Sequence, residues 1–145
     1  MISYRVATSA DDYAACRKLM YAAGITNNDL SFPTLMAIDD KGLLGFVGTT
    51  PRDDMVLAGP IVMRQDRSHA IVALRLAGMY EMTMKNMGIS SFIFYADEKD
   101  SVFVKAMQRY FPNVKPYAKT GSTLFYSWHI DKVRQEQLSE DKEVA

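Results

Sequence analysis

Length, composition and charge set the first limits on this chain. Its 145 residues are 48% hydrophobic and 23% charged, as in soluble proteins with a packed core. The 17 basic and 17 acidic residues cancel to a formal net charge of +0, which argues against nucleic-acid binding through a general basic field. The single cysteine, Cys16, excludes an internal disulfide and fits a reducing, cytoplasmic location. No apolar run approaches the roughly 20 residues that a membrane helix needs, so we expect no membrane partner.

The N-terminal residues predict a strand followed by a helix. Residues 2–7 alternate apolar and polar side chains, as a half-buried strand does. Residues 8–24 begin with capping and acidic residues and end at Gly24, which is typical of a helix. Cys16 lies on the apolar side of this helix with no base nearby to activate a thiol, so we interpret it as a core residue.

A meander of three strands is predicted next. Residues 25–33 form a loop or short helix that could carry part of a substrate rim. Residues 35–38 and 43–50 are strand-like and flank the turn residues 39–42, which predicts a hairpin. The apolar run 55–63 then leads the chain back as a further antiparallel strand.

Gly59 and Pro60 interrupt this apolar run. Proline cannot donate to a sheet ladder, and a glycine inside a strand often marks a bulge. A bulge would splay the strand from its neighbour and turn backbone donors toward a ligand. A simple break between two short strands, or an edge strand, is the open alternative.

A polar turn, residues 64–69, joins this strand to a helix predicted over 70–88. The first N–H groups of such a helix have no intrahelical partner, and together with the positive end of the helix dipole they make an anion site. Arg64 and Arg67 add fork-shaped donors suited to phosphate oxygens. The turn therefore predicts a phosphate-binding site.

The helix and the remaining segments complete the pattern. The helix is predicted to bury one stripe: Ile71, Leu74, Gly78 and Met82. The run 91–96 predicts a strand, and residues 102–110 predict a short helix. Residues 114–118 and 123–130 predict a hairpin of two strands. Residues 131–145 are highly charged and are expected to form a frayed helix or a disordered tail.

This order of elements, with its polar strand-to-helix turn, resembles the GNAT superfamily of acyl-CoA-dependent N-acyltransferases. The resemblance implies an α+β fold of α/β/α layers, with a mixed, mostly antiparallel six- to seven-stranded sheet and helices on both faces. Residues 1–130 would form one domain, and 131–145 the tail. The family's pyrophosphate loop reads Gln/Arg-x-x-Gly-x-Gly/Ala, and the chain matches it at Gln65 and Ala70 but has Ser68 where glycine is usual.

The resemblance implies that acetyl-CoA is the acyl donor, held in a gap between the strands at 55–63 and 91–96. A backbone N–H of the first of these strands would polarise the thioester carbonyl. His69 could donate to a phosphate as a neutral imidazole, or it could be an ordinary exposed residue. The residues implied in cofactor binding are Ile61, Val62, Met63, Arg64, Gln65, Asp66, Arg67, Ser68, His69, Ala70 and Asp100.

The resemblance also implies a base that deprotonates the amine and a tyrosine that protonates the leaving thiolate. Tyr110 is the candidate for the tyrosine, and a core aromatic is its alternative role. Tyr95 and Asp97 could reach the amine acceptor, a small molecule or a protein, or could be ordinary surface residues. No spacing of His, Cys, Asp or Glu resembles a metal site.

The leading hypothesis is therefore an enzyme that transfers an acetyl or other acyl group from CoA to an amine, and a homodimer is compatible with it. A GNAT-like domain that has lost catalysis, as in some phage virion proteins, is the alternative. Ser68, and Met107 in place of an expected tyrosine, favour that alternative, whereas Arg64, Gln65 and Arg67 favour the enzyme. Zero net charge disfavours a nucleic-acid-binding protein built on the same turn.

Overall fold

The computed structural model describes residues 1–26, 29–52, 55–65, 70–99 and 101–130, without the side chains of 55–56 and 101–102. Its elements follow the predicted order: β1 (Ser3–Val6), α1 (Ala10–Ala22), β2 (Ser31–Asp39), β3 (Gly42–Arg52), β4 (Met55–Met63), α2 (Ala70–Asn86), β5 (Ser91–Asp97), α3 (Ser101–Tyr110), β6 (Ala118–Thr120) and β7 (Thr123–His129). None of these helices is long and apolar enough to cross a membrane. The predicted tail, 131–145, lies outside the described residues.

Within the described residues, seven strands form one mixed sheet in the order β1-β2-β3-β4-β5-β7-β6. Strands β1 to β4 form an antiparallel meander, and β5, β7 and β6 pair antiparallel with one another. These two halves meet where β4 and β5 run parallel. Parallel neighbours need a crossover connection, and α2 lies in it. The predicted fold class is confirmed.

Helices cover both faces of the sheet. Phe46 of β3 packs in one buried cluster with Cys16 and Met20 of α1, whereas its neighbour Val47 packs in another cluster with Leu76 of α2 and with α3. Because successive strand residues point to opposite faces, α1 covers one face and α2 and α3 cover the other. Cys16 is fully buried, and burial raises the pKa of its thiol to about 12. Its predicted core role is confirmed.

A capping box fixes the start of α1. The hydroxyl of Ser9 accepts a hydrogen bond from the Asp12 amide at 3.1 Å, and the Asp12 carboxylate accepts one from the Ser9 amide at 3.3 Å. The guanidinium of Arg5 adds two bonds to this carboxylate, each of 2.7 Å. Arg5, together with the amide of Thr8, holds the pKa of Asp12 well below its usual range. The ion pair thus joins β1 to α1.

The predicted buried stripe of α2 is wrong. The helix buries side chains on a different face, among them Val72, Leu76, Tyr80 and Met84. Ile71 and Met82 are 69% and 58% exposed, and Leu74 and Gly78 line a cavity. Apolar residues surround most of this helix, so their spacing could not select the face that packs on the sheet.

Two predicted boundaries are also wrong. β2 begins at Ser31 and takes in Pro33, where the sequence predicts a loop or short helix. Its register against β3 shifts between Ser31 and Leu35. Such an irregularity accommodates a residue that cannot donate to the ladder. β6 lies later than 114–118, because Gly121 adopts a φ of 60° and allows a short turn in which Thr120 pairs with Thr123.

Candidate active site

Gly59 and Pro60 form a bulge in the middle of β4, which is one of the two alternatives that the sequence left open. Two residues of β4 stand opposite one residue of β3, between two regular pairs: Val47 with Ile61, and Thr49 with Ala58. Gly59 has a φ of 128°, which residues with side chains rarely adopt. A Cβ at Gly59 would lie 3.0 Å from the ring of Tyr95. The bulge therefore requires glycine both for its backbone conformation and for space.

Strands β4 and β5 separate beyond the bulge. The ladder between them pairs Leu57 with Ile93 and Ala58 with Phe94. Past Ala58, β4 has no ladder partner on this side among the described residues, although its other side stays paired with β3 as far as Met63. Alternate amides and carbonyls of a strand point to the same side, so some of these groups on β4 face the gap. The family resemblance predicts a gap between these strands, and the end of the ladder at Ala58 agrees with it.

A cavity of about 250 Å³ adjoins the gap on the face of the sheet that α2 and α3 cover. Its lining is mostly apolar and aromatic, with contributions from both strands, from β7 and from both helices. Representative lining residues are Ile61, Gly78, Phe92, Phe103, Tyr110 and Trp128. Concave, mostly apolar pockets with a few polar groups are typical of small-molecule sites.

Tyr95 braces the bulge from β5. Its hydroxyl lies 3.0 Å from Oγ1 of Thr50, and that oxygen donates its proton to the carbonyl of Gly59 at 2.8 Å. Because the Thr50 hydroxyl has one proton, Tyr95 is the donor in the first of these bonds. Burial raises the pKa of Tyr95, so its hydroxyl stays protonated. The ring of Tyr95 lines the cavity, and its contact with an acceptor stays a prediction.

Arg64 has partners within the protein. Its amide donates to the carbonyl of Leu44 at 2.8 Å, and its guanidinium donates to both carboxylate oxygens of Asp39. The guanidinium lowers the pKa of Asp39 to about 2. The adjacent Gln65 is exposed, and its amide nitrogen donates to the carbonyl of Met63 at 3.3 Å. Arg64 thus anchors the end of β4 to the β2–β3 hairpin, and its role toward phosphate stays a prediction.

Part of the predicted phosphate site lies outside the described residues: Asp66, Arg67, Ser68, His69 and Asp100. Ala70 is the first residue of α2, at the predicted start of the helix. Ile61 lines the cavity, whereas Val62 packs on the opposite face, against the cluster that contains α1. Of these two side chains, Ile61 is therefore the one in position to contact a ligand in the cavity.

Of the two remaining predicted residues, Tyr110 lines the cavity and Asp97 does not. Tyr110 is the last residue of α3, lines the cavity and is 44% exposed, so a role as a core aromatic does not hold. The guanidinium carbon of Arg109 lies 5.4 Å from the centroid of the Tyr110 ring. Asp97 ends β5 at an exposed position, where its carboxylate accepts a bond of 2.9 Å from the amide of Lys99. Asp97 is not among the described residues that line the cavity.

Glu81 is a site residue that the sequence pattern did not reveal. This glutamate of α2 is 7% exposed and lines the cavity, and its carboxylate accepts a bond of 2.7 Å from the indole nitrogen of Trp128. The spacing of Leu74, Gly78 and Glu81 places them on one helix face, and this spacing is the sequence feature that could have indicated Glu81. A buried carboxylate beside a cavity can accept a proton or bind a cation.

A bulged β4 that splays from a parallel β5, with a helical crossover between them, is the architecture of the GNAT superfamily. Solved structures of similar fold include the PaiA N-acetyltransferase of Thermoplasma acidophilum in complex with coenzyme A, with a TM-score of 0.63 and 18% identity over 89% of this chain and 99% of that one. The FeeM N-acyl amino acid synthase of uncultured soil microbes gives a TM-score of 0.69 at 12% identity, over 95% of this chain and 96% of that one.

The ribosomal-protein-S18-alanine N-acetyltransferase of Escherichia coli gives a TM-score of 0.59 at 10% identity, over 90% of this chain and 94% of that one. No protein-family model and no curated protein sequence matches the chain significantly. At these low identities the likeness concerns architecture. The chain has the GNAT fold.

Proposed function

We propose that this protein is an N-acyltransferase that moves an acyl group, acetyl in the simplest case, from coenzyme A to an amine. The observation that carries the proposal is the bulged β4, which separates from β5 beside an apolar cavity. Structures of the same fold include one in complex with coenzyme A and one of an N-acyl amino acid synthase, which supports this choice of donor and reaction.

The donor would bind from the start of α2 toward the bulge. Its diphosphate would contact the turn at 64–69 and the amides that open the helix, where anions are favoured. Arg64, Gln65 and Arg67 would supply side-chain donors, and Asp100 is a further residue that we propose for donor binding. The pantetheine amides would pair with β4 along residues 61–63, as an added strand pairs with an open sheet edge.

The reaction would take place at the bulge. A backbone N–H of β4 would stabilise the charge that develops on the thioester oxygen as the amine nitrogen attacks the carbonyl carbon. The C–N bond forms and the C–S bond breaks, with Tyr110 giving its proton to the leaving thiolate. Glu81 is the buried carboxylate beside the cavity that would take the proton of the amine. The acceptor, a small molecule or a protein amine, would enter past Tyr95 and Asp97.

The protein would work as a cytoplasmic enzyme. Its lone cysteine, Cys16, is buried and unpaired with any other cysteine, as in proteins of reducing compartments. The balanced charge of the chain gives no support for a nucleic-acid acceptor.

Thermal unfolding with and without acetyl-CoA tests donor binding. Donor at about 100 times its Kd should add about 2.7 kcal/mol to the free energy of unfolding by mass action, and Arg67→Ala should reduce this gain. If no acyl-CoA changes the thermal unfolding of the wild-type protein, the alternative is favoured, a GNAT-like module without catalysis.

Release of free thiol with a panel of amines then tests the chemistry. We expect Tyr110→Phe to lower kcat by about a hundredfold, with a smaller effect on KM, because it removes a proton donor rather than a contact to the ground state. The matched control is Tyr21→Phe, a half-exposed tyrosine on α1, which should keep wild-type kcat. Equal rates for the two variants would exclude Tyr110 as the acid.

A further inference from the structure

We propose that the cavity holds an extended apolar acyl chain, so that the preferred donor carries a medium-length acyl group rather than acetyl. This inference rests on the proposed function, because it assigns the cavity to the acyl part of the same donor.

The cavity extends well past the bulge. Ile61 lines it on one side of the bulge, and Phe92 and Trp128, which pair with each other, line it on the other side. Phe92 precedes Ile93, the first residue of β5 that pairs with β4, so it lies level with residue 56 of β4. The thioester would lie at the bulge, and the distance along the strand from Gly59 to that level is about 10 Å at about 3.3 Å per residue. An acetyl group has one methyl beyond its carbonyl and would leave most of this length empty.

The volume also exceeds what acetyl needs. The cavity measures about 250 Å³, whereas an apolar cavity of about 150 Å³ already accepts a benzene molecule. A group of more than six carbons is therefore accommodated before any side chain moves. A donor with a single methyl would forgo the burial of this surface.

The lining favours hydrocarbon over a polar occupant. Two tyrosine hydroxyls of the lining already have partners, Tyr80 at 2.7 Å from Thr49 Oγ1 and Tyr95 at 3.0 Å from Thr50 Oγ1. The carboxylate of Glu81 accepts its bond from Trp128. Every buried side-chain nitrogen and oxygen of the described residues has a partner. A polar ligand would lose its own hydration with few groups to replace it, whereas a hydrocarbon chain loses nothing.

The helix makes room for such a chain. Gly78 of α2 lines the cavity, and a Cβ at Gly78 would meet no atom within 4 Å. Glycine in the middle of a helix costs about 1 kcal/mol relative to alanine, and Gly78 does not have the positive φ that would require it. The missing side chain is explained by the space that it leaves beside Ala77, a second small residue of the lining.

Calorimetric titration of the full chain with free CoA and with acetyl-, butyryl-, hexanoyl- and octanoyl-CoA tests the inference. We expect the affinity to rise about fourfold for each added methylene until the cavity is filled. Binding of acetyl-CoA with equal or weaker binding of the longer donors would overturn the inference and leave the proposed function intact. No binding of CoA or of any acyl-CoA would overturn both.

Substitution on α2 identifies the cavity as the place where the chain binds. Gly78→Leu should lower the ratio of hexanoyl-CoA to acetyl-CoA affinity by about sixteenfold or more, since it occupies the volume of two or more methylenes. Ala77→Leu is the second variant, used if Gly78→Leu does not fold. Met82→Leu, an exposed change on the same helix, should leave the ratio unchanged. An equal loss of free CoA binding in the leucine variants would assign the cavity to the pantetheine arm and overturn the inference.

Discussion

Single side chains set the geometry of the site at the scale of the residue. Thr50 is 1% exposed, donates to the carbonyl of Gly59 and accepts from Tyr95, so one hydroxyl links β3, the bulge of β4 and β5. The sequence indicated the bulge as one of two alternatives, because glycine and proline carry backbone constraints wherever they occur. The hydrogen bond between Thr50 and Tyr95 that supports the bulge could not be predicted. The two residues are 45 positions apart in the sequence, and their contact depends on the whole sheet.

Thr50→Val should destabilise the protein by about 1–3 kcal/mol, because it removes the buried donor to Gly59 and the acceptor for Tyr95 at nearly constant volume. Urea denaturation gives the free energy of unfolding. Thr120→Val, an exposed change in β6, is the control and should stay within about 0.5 kcal/mol of the wild type. A Thr50→Val protein as stable as the control would show that this link does not hold the bulge.

Asp39 and Arg64 give stability a defined pH dependence. The guanidinium lowers the pKa of Asp39 from 3.8 to about 2, so the stabilisation is complete above the ordinary value and is lost as the pH falls toward 2. Asp39→Asn should therefore be less stable than the wild type at pH 7, and the difference should narrow below pH 4, as measured by urea denaturation. Asp40→Asn, at an exposed neighbour, is the control. A difference that stays constant with pH would contradict this role of the ion pair.

At the scale of the element, the type and order of helices and strands were predicted well, whereas the bounds of β2 and β6 and the orientation of α2 were not. Strands and turns carry local signals, such as the apolar run of β4 and the capping residues of α1. The buried face of α2 depends on which of its apolar residues pack against the sheet. Ile71 is exposed and Tyr80 is buried, although isoleucine is the more hydrophobic of the two. Glu81 was overlooked for the same reason, because its burial follows from that orientation.

Two glycines should respond oppositely to the same substitution. Gly59→Ala should destabilise the protein by about 1–3 kcal/mol, since alanine is strained at a φ of 128° and its Cβ would press on Tyr95. Gly78→Ala should stabilise it by up to about 1 kcal/mol, since it adds a helix former at an open position. Thermal and urea unfolding of both variants measure these changes. Equal signs would contradict the assignment of the bulge as a glycine-dependent feature.

At the scale of the whole molecule, two antiparallel half-sheets meet along the short parallel ladder of β4 and β5. The order of elements predicted this architecture through its resemblance to the GNAT superfamily. The cavity could not be predicted, since its walls come from β3, β4, β5, β7, α2 and α3 and its volume depends on how these elements pack. Acyl transfer is proposed at this junction of the two half-sheets, where the ladder ends.

The proposed function requires that the gap between β4 and β5 receives the acyl-CoA donor. Residue-resolved amide NMR of the full chain during a CoA titration tests it most directly. The account predicts saturable shifts that are largest in residues 59–65 and 91–97, on the two strands that separate. Amides that do not move at millimolar CoA, or shifts confined to β1 or to the β6–β7 hairpin, would contradict it.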